Sequence, residues 1–119
     1  MATRALVHAG ACGYHASVHA TRRPDGNLDL VVHSPCTMLT DMNPDLANLS
    51  WKRGLLDTFF TSAVYKSADR HVRHVDCPVL AAMIKAAMVE LGMAAPVAAS
   101  IRLEHEAGEH PAQARTAGH

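Results

Sequence analysis

The stretch YHASVHATRRPDGNLDLVVH, residues 14–33, decides the fold. Its first half alternates cleanly: Tyr14, Ala16, Val18 and Ala20 share one face, and His15, Ser17, His19 and Thr21 share the other. Period-two alternation is the mark of a half-buried strand, with its apolar face toward a core. Pro24-Asp25-Gly26-Asn27 follows, and its chemistry is that of a turn. Proline presets φ for the first corner, and glycine and asparagine accept the positive φ that tight hairpins need. Residues 28–33 then form a second strand. Upstream, residues 4–8 read as another strand, so the first three elements predict an antiparallel meander.

That meander has a geometric consequence. The first strand runs up toward Cys12, the second runs down, and the third runs up toward Cys36. Both cysteines then lie at one end of the sheet. The chain has a third, Cys77, and each of the three neighbours a glycine or proline at the end of an expected element. Ser34-Pro35 reads as an N-cap with proline at the first helical position, placing Cys36 in the first turn of a short helix that Asn43-Pro44 should stop. A longer helix is expected from about residue 50, with Leu55, Leu56, Phe59, Phe60, Ala63 and Val64 at helical spacing on its buried face. Pro78 again suits a first helical position. Cys77 would then cap a helix over residues 79–91, with Gly92 as its C-terminal stop. That helix carries only Lys85 and Glu90 as charges, so it is either sandwiched in the core or used for homo-oligomer formation. Residues 97–104, led by Pro96, alternate again and predict a fourth strand. The remainder, 107–119, lacks periodicity and reads as a disordered polar tail. The expectation is one α+β domain over residues 1–106, a small antiparallel sheet covered by helices.

Bulk composition excludes several function classes. With 119 residues, 49% of them hydrophobic, the chain can build one core without disulfide staples. A formal net charge of zero argues against nucleic-acid binding, which needs a clustered basic excess. No apolar run approaches the roughly 18 residues of a membrane span, and the N-terminus has no signal-peptide pattern. A cytoplasmic protein is the expectation, and there cysteines stay reduced and tend to serve metals or chemistry.

Thiols at helix starts and in turns face backbone N–H groups that favour the thiolate. Cys12, Cys36 and Cys77 together therefore suggest a three-thiolate site for an iron–sulfur cluster of the [4Fe–4S] type, and Cys77-Pro78 has the proline that often follows a cluster ligand. Zinc competes, because His74-x-x-Cys77 would complete a Cys3His set. Structural zinc sites, however, usually draw ligands in close pairs such as Cys-x-x-Cys, whereas here the three thiolates come from three separate places. A thiol-dependent enzyme is a further alternative, with Cys77 activated by His74 or His71. A plain homo-oligomeric interaction module would need no cysteine at all. Each cysteine also has a plainer reading as a small buried or capping residue. His8 and His33, near the cysteine end, could support such a site, and His15 with His19, two apart on one strand face, could clasp a metal; strand surface is the reading preferred for all four. The chain shows no Gly-rich phosphate loop, no Cys-x-x-Cys pair and no catalytic signature, so the sequence names no reaction, substrate or redox partner.

The order Gly10-x-Cys12-Gly13, Ser34-x-Cys36, His74-x-x-Cys77-Pro78-Val79, then an apolar helix and a Pro-led strand, resembles a family of small uncharacterised bacterial and archaeal proteins. The similarity spans most of residues 4–104. It implies a compact α+β domain whose three cysteine motifs form a metal or iron–sulfur site. The histidine-rich strands and the polar tail depart from that pattern.

Overall fold

A computed structural model describes residues 2–107. Three strands, β1 (Ala2–His8), β2 (His15–Arg22) and β3 (Leu28–His33), form an antiparallel sheet in the order β1-β2-β3. Register runs from Ala2 opposite Thr21 to His8 opposite His15, and from Arg22 opposite Leu28 to Ser17 opposite His33. The expected turn is present. Gly26 takes φ +90°, and its N–H bonds the Arg23 carbonyl at 2.9 Å. That register sends Ala16, Val18, Ala20, Leu28, Leu30 and Val32 into the core, as the alternation requires.

Helices cover that face. After β3 come α1 (Thr37–Thr40), a 3₁₀ turn (Asn43–Leu46), α2 (Trp51–Gly54), α3 (Ala63–His71) and α4 (Val79–Glu90). The last packs against β1 and β2 and buries Val79, Leu80, Met83, Ala86 and Ala87. Its apolar character is thus largely explained by the sheet. Gly92 closes it at φ +76°, a conformation that costs glycine little and other residues more. The Glu90 carboxylate ties the helix end to the sheet, accepting from Thr3 Oγ1 at 2.8 Å and from the Arg22 N–H at 3.0 Å. With its helices packed on one face of an antiparallel sheet, the domain is α+β.

Three expectations are corrected. The long helix from residue 50 is two short ones, because the chain turns between them. Thr58 and Thr61 exchange side-chain and backbone hydrogen bonds at 2.9–3.2 Å, a local arrangement that competes with helix. Leu55 and Val64 still reach the core, whereas Phe59 and Phe60 point to solvent. The fourth strand over residues 97–104 is not formed; this segment joins no sheet among the described residues and is exposed. The helix starts also shift: Cys36 is itself the N-cap of α1, and Pro78, not Cys77, is the N-cap of α4. The tail expected over 107–119 lies outside the described residues from position 108 onward.

The two sheet edges differ. On the β3 side, the Asn43 amide imitates a strand: Oδ1 accepts from the Val32 N–H at 2.8 Å, and Nδ2 donates to the Val32 carbonyl at 2.9 Å. Leu49 exchanges two backbone bonds with Leu28 at 2.7 and 2.9 Å. On the β1 side no strand is paired among the described residues.

Candidate functional site: a cavity bordered by three thiols

Each cysteine sits at a place fixed by local backbone chemistry. Cys12 lies at the tip of the β1–β2 hairpin, where the Gly13 N–H bonds the Gly10 carbonyl at 2.9 Å. Gly10 and Gly13 take φ +88° and +76°, so the loop can turn sharply enough to keep the thiol over the sheet end. Cys36 follows β3. Ser34 fixes it: Oγ donates to the His15 carbonyl at 2.8 Å and accepts from the Cys36 N–H at 3.1 Å. The Cys36 carbonyl then receives the first α1 N–H groups, from Leu39 and Thr40, both at 3.2 Å. Cys77 closes a turn in which its N–H bonds the His74 carbonyl at 3.3 Å.

The meander and the α3–α4 connection bring these places together. Cys12, Cys36, Cys77 and His74 all line one cavity of about 320 Å³, at the low end of the ~300–1,000 Å³ typical of small-ligand sites. All three cysteines are free; Cys12 is exposed, and Cys36 and Cys77 are half-buried. The apolar wall is built from Ala9, Leu39, Val72 and Val79, with Tyr14 and Met38 beside them. Among the described residues no group of three or more His, Cys, Asp or Glu is arranged to hold a metal ion. The thiols therefore border a shared space without converging on a preformed point.

The electrostatics correct another expectation. Burial, the largest influence, pushes the Cys77 thiol above its ordinary value of 9.0. The Val79 N–H pulls it down, the neighbouring Cys36 and Cys12 push it up, and the Leu80 N–H pulls it down again. Desolvation outweighs the helix start, so Cys77 is a protonated thiol at neutral pH. The α1 helix has only four residues and too little aligned backbone for an appreciable macrodipole at Cys36. The mutual effect of the three sulfurs is itself informative. Ionising them together sets like charges against one another, and a bound cation relieves that repulsion.

Asp76 and the His15 position also line the cavity; the sequence does not single out Asp76, and it marks His15 only as strand surface or as a clasp with His19. Asp76 shares the His74–Cys77 turn, which offered a local signal. The His15 carbonyl accepts from Ser34 Oγ, a contact that no side-chain pattern announces. His71, an expected base for Cys77, instead faces Asp45, with Nε2 3.3 Å from Oδ2. His8 meets His15 edge-on with ring centres 4.4 Å apart, and His19 meets His33 at 5.2 Å; all four belong to the sheet strands or their ends, as expected.

The fold and the cavity define a small α+β protein with a thiol-bordered opening at one end of its sheet. By sequence the chain belongs to a family of unknown function (DUF6951), whose model matches residues 3–103. No curated protein and no solved structure matches it. Among the described residues no helix is long and apolar enough to cross a membrane.

Proposed function

We propose that the cavity binds a thiophilic centre, an iron–sulfur cluster or a soft metal ion, through Cys12, Cys36 and Cys77. One observation carries this reading: three thiols from separate parts of the chain line a single cavity. The family match over residues 3–103 covers all three cysteines. Thiolates are the preferred ligands of iron–sulfur clusters and soft metals. The donors suit such a group in type, and the hairpin tip and the His74–Cys77 turn are the parts that would close on it. Binding would deprotonate Cys77, since a metal overrides the burial that keeps the thiol neutral. The bound group would supply electron transfer, sulfur relay or Lewis acidity, while the chain orients it and shields one side with apolar wall. A [4Fe–4S] cluster held by Cys12, Cys36 and Cys77 would leave one iron for another ligand. Free thiols also fit a reducing compartment such as the cytoplasm.

Zinc is the second reading, because His74 lines the same cavity and would complete a Cys3His set. The raised Cys77 pKa speaks against a thiol-dependent enzyme that relies on this cysteine as a free nucleophile. The test is anaerobic purification with iron, zinc and acid-labile sulfide analysis, on the wild type and on Cys77→Ser. Iron with sulfide in the wild type, lost in the variant at unchanged helical content, is the expected result. One zinc per chain, lost in Cys77→Ser and His74→Ala alike, would select the second reading. Equal metal content in wild type and Cys77→Ser would overturn both.

A further inference from the structure

We infer that residues 97–104 form a strand on the open β1 edge of a second copy of this chain, joining two copies by reciprocal strand exchange. The segment has the composition of a half-buried strand and none of its partners. Val97, Ile101 and Leu103 are 79%, 79% and 90% exposed, and they alternate with Ala98, Ser100, Arg102 and Glu104. It forms no helix or strand of its own. Across 94–104, the backbone–backbone bond formed among the described residues is local, from the Val97 N–H to the Ala95 carbonyl at 2.8 Å. The family model runs through residue 103, so this arm belongs to the family's domain and is no incidental appendage. Large apolar side chains in alternation on a segment outside any sheet suit a strand that docks on a sheet edge.

The sheet offers one suitable edge. Asn43 and Leu49 occupy the β3 side at Val32 and Leu28, while β1 has no strand beyond it among the described residues. Its core-facing residues betray the vacancy. Thr3, Ala5 and Val7 are only half-buried, although Ala16, Val18 and Ala20 on β2 are buried. An added strand with Val97, Ile101 and Leu103 on the core side would continue the apolar layer beside Ala5 and Val7. Ser100, Arg102 and Glu104 would then face outward with Arg4 and His8. The arm leaves α4 at Gly92, close to where Glu90 grips Thr3, so each chain's arm departs near the start of its own β1. Two copies related by a two-fold axis can each lend an arm and receive one, which closes the assembly.

The test is light scattering on the full-length protein across micromolar concentrations, joined to amide hydrogen exchange. The expected result is a dimer with protected amides in both β1 and 97–104. Ile101→Asp should weaken the dimer by roughly 100-fold or more, because each dimer loses two buried apolar side chains. The same variant should free the amides of 97–104 without altering the circular dichroism of the domain. Three results would overturn the inference. They are a monomer whose arm exchanges freely, a monomer whose arm is protected on its own sheet, and a dimer that persists unchanged in Ile101→Asp and uses another surface.

Discussion

Asn43 is the side chain whose removal tests the architecture most sharply. Its amide makes two bonds to one residue, accepting from the Val32 N–H at 2.8 Å and donating to the Val32 carbonyl at 2.9 Å. Val32 is fully buried, so water cannot readily replace either partner. Each such bond contributes ~0.5–1.5 kcal/mol net, and an orphaned buried group costs more. Asn43→Ala should therefore destabilise the fold by about 2 kcal/mol, or roughly 8–16 °C in Tm at ~4–8 °C per kcal/mol. Asn43→Asp separates the two bonds. It keeps an acceptor for the Val32 N–H but sets a carboxylate oxygen against the Val32 carbonyl, so it should be at least as damaging as alanine near neutral pH. The assay is equilibrium urea unfolding followed by circular dichroism, with the slope compared so that stability is separated from compactness. A loss below ~0.5 kcal/mol for Asn43→Ala would refute the reasoning, since that is the scale of an ordinary surface change.

Other outcomes follow from the same structure. Met83 is completely buried where α4 meets the sheet, and Met83→Ala should cost ~2–5 kcal/mol in urea unfolding. Asp45 accepts from Ser67 Oγ at 2.7 Å and pairs with Arg70 at 2.8 Å; these two bonds, Ser67 first, hold its pKa below 3.8. Its contribution is thus present above 3.8 and lost as pH falls through the lower folded value, so wild type and Asp45→Asn should converge in stability under acid. Cys77 behaves with the opposite sign. Its folded pKa is raised above 9.0, so the folded state holds the proton longer and metal-free protein should lose stability as pH climbs past about 9.0. Cys77→Ala should flatten that alkaline limb, and an unchanged limb would remove burial as the cause.

Much of this was legible in the chain, for identifiable reasons. The meander was readable because alternation over 14–21 and the Pro24–Asn27 turn are local signals that act together. The placement of Cys12 and Cys36 at one sheet end followed from strand direction alone. The long helix was misread because Leu55 and Val64 do share the core, but the Thr58–Thr61 bonds between them do not show in hydrophobic spacing. Period-two alternation in 97–104 suggests a strand that is not formed among the described residues, because alternation says nothing of whether a pairing edge is in reach. The Cys77 environment was hidden for another reason. A cysteine beside a proline at a helix start suggests a stabilised thiolate, yet burial outweighs the pull of the Val79 N–H and reverses the shift. Ser34 is not the N-cap that its Ser-Pro sequence suggests, and its bridge from the His15 carbonyl to the Cys36 N–H depends on the hairpin being closed.

The central claim is that three thiols serve one site, and cobalt(II) titration of the metal-free protein under reducing, anaerobic conditions tests it most directly. Thiolate-to-cobalt charge-transfer absorption reports the number of sulfurs bound. The account predicts saturation at one equivalent, with intensity falling by about a third in each of Cys12→Ser, Cys36→Ser and Cys77→Ser as one of three thiolates is removed. A band that ignores any one of these substitutions, or no band at all, would contradict a shared site and return the three cysteines to separate structural roles.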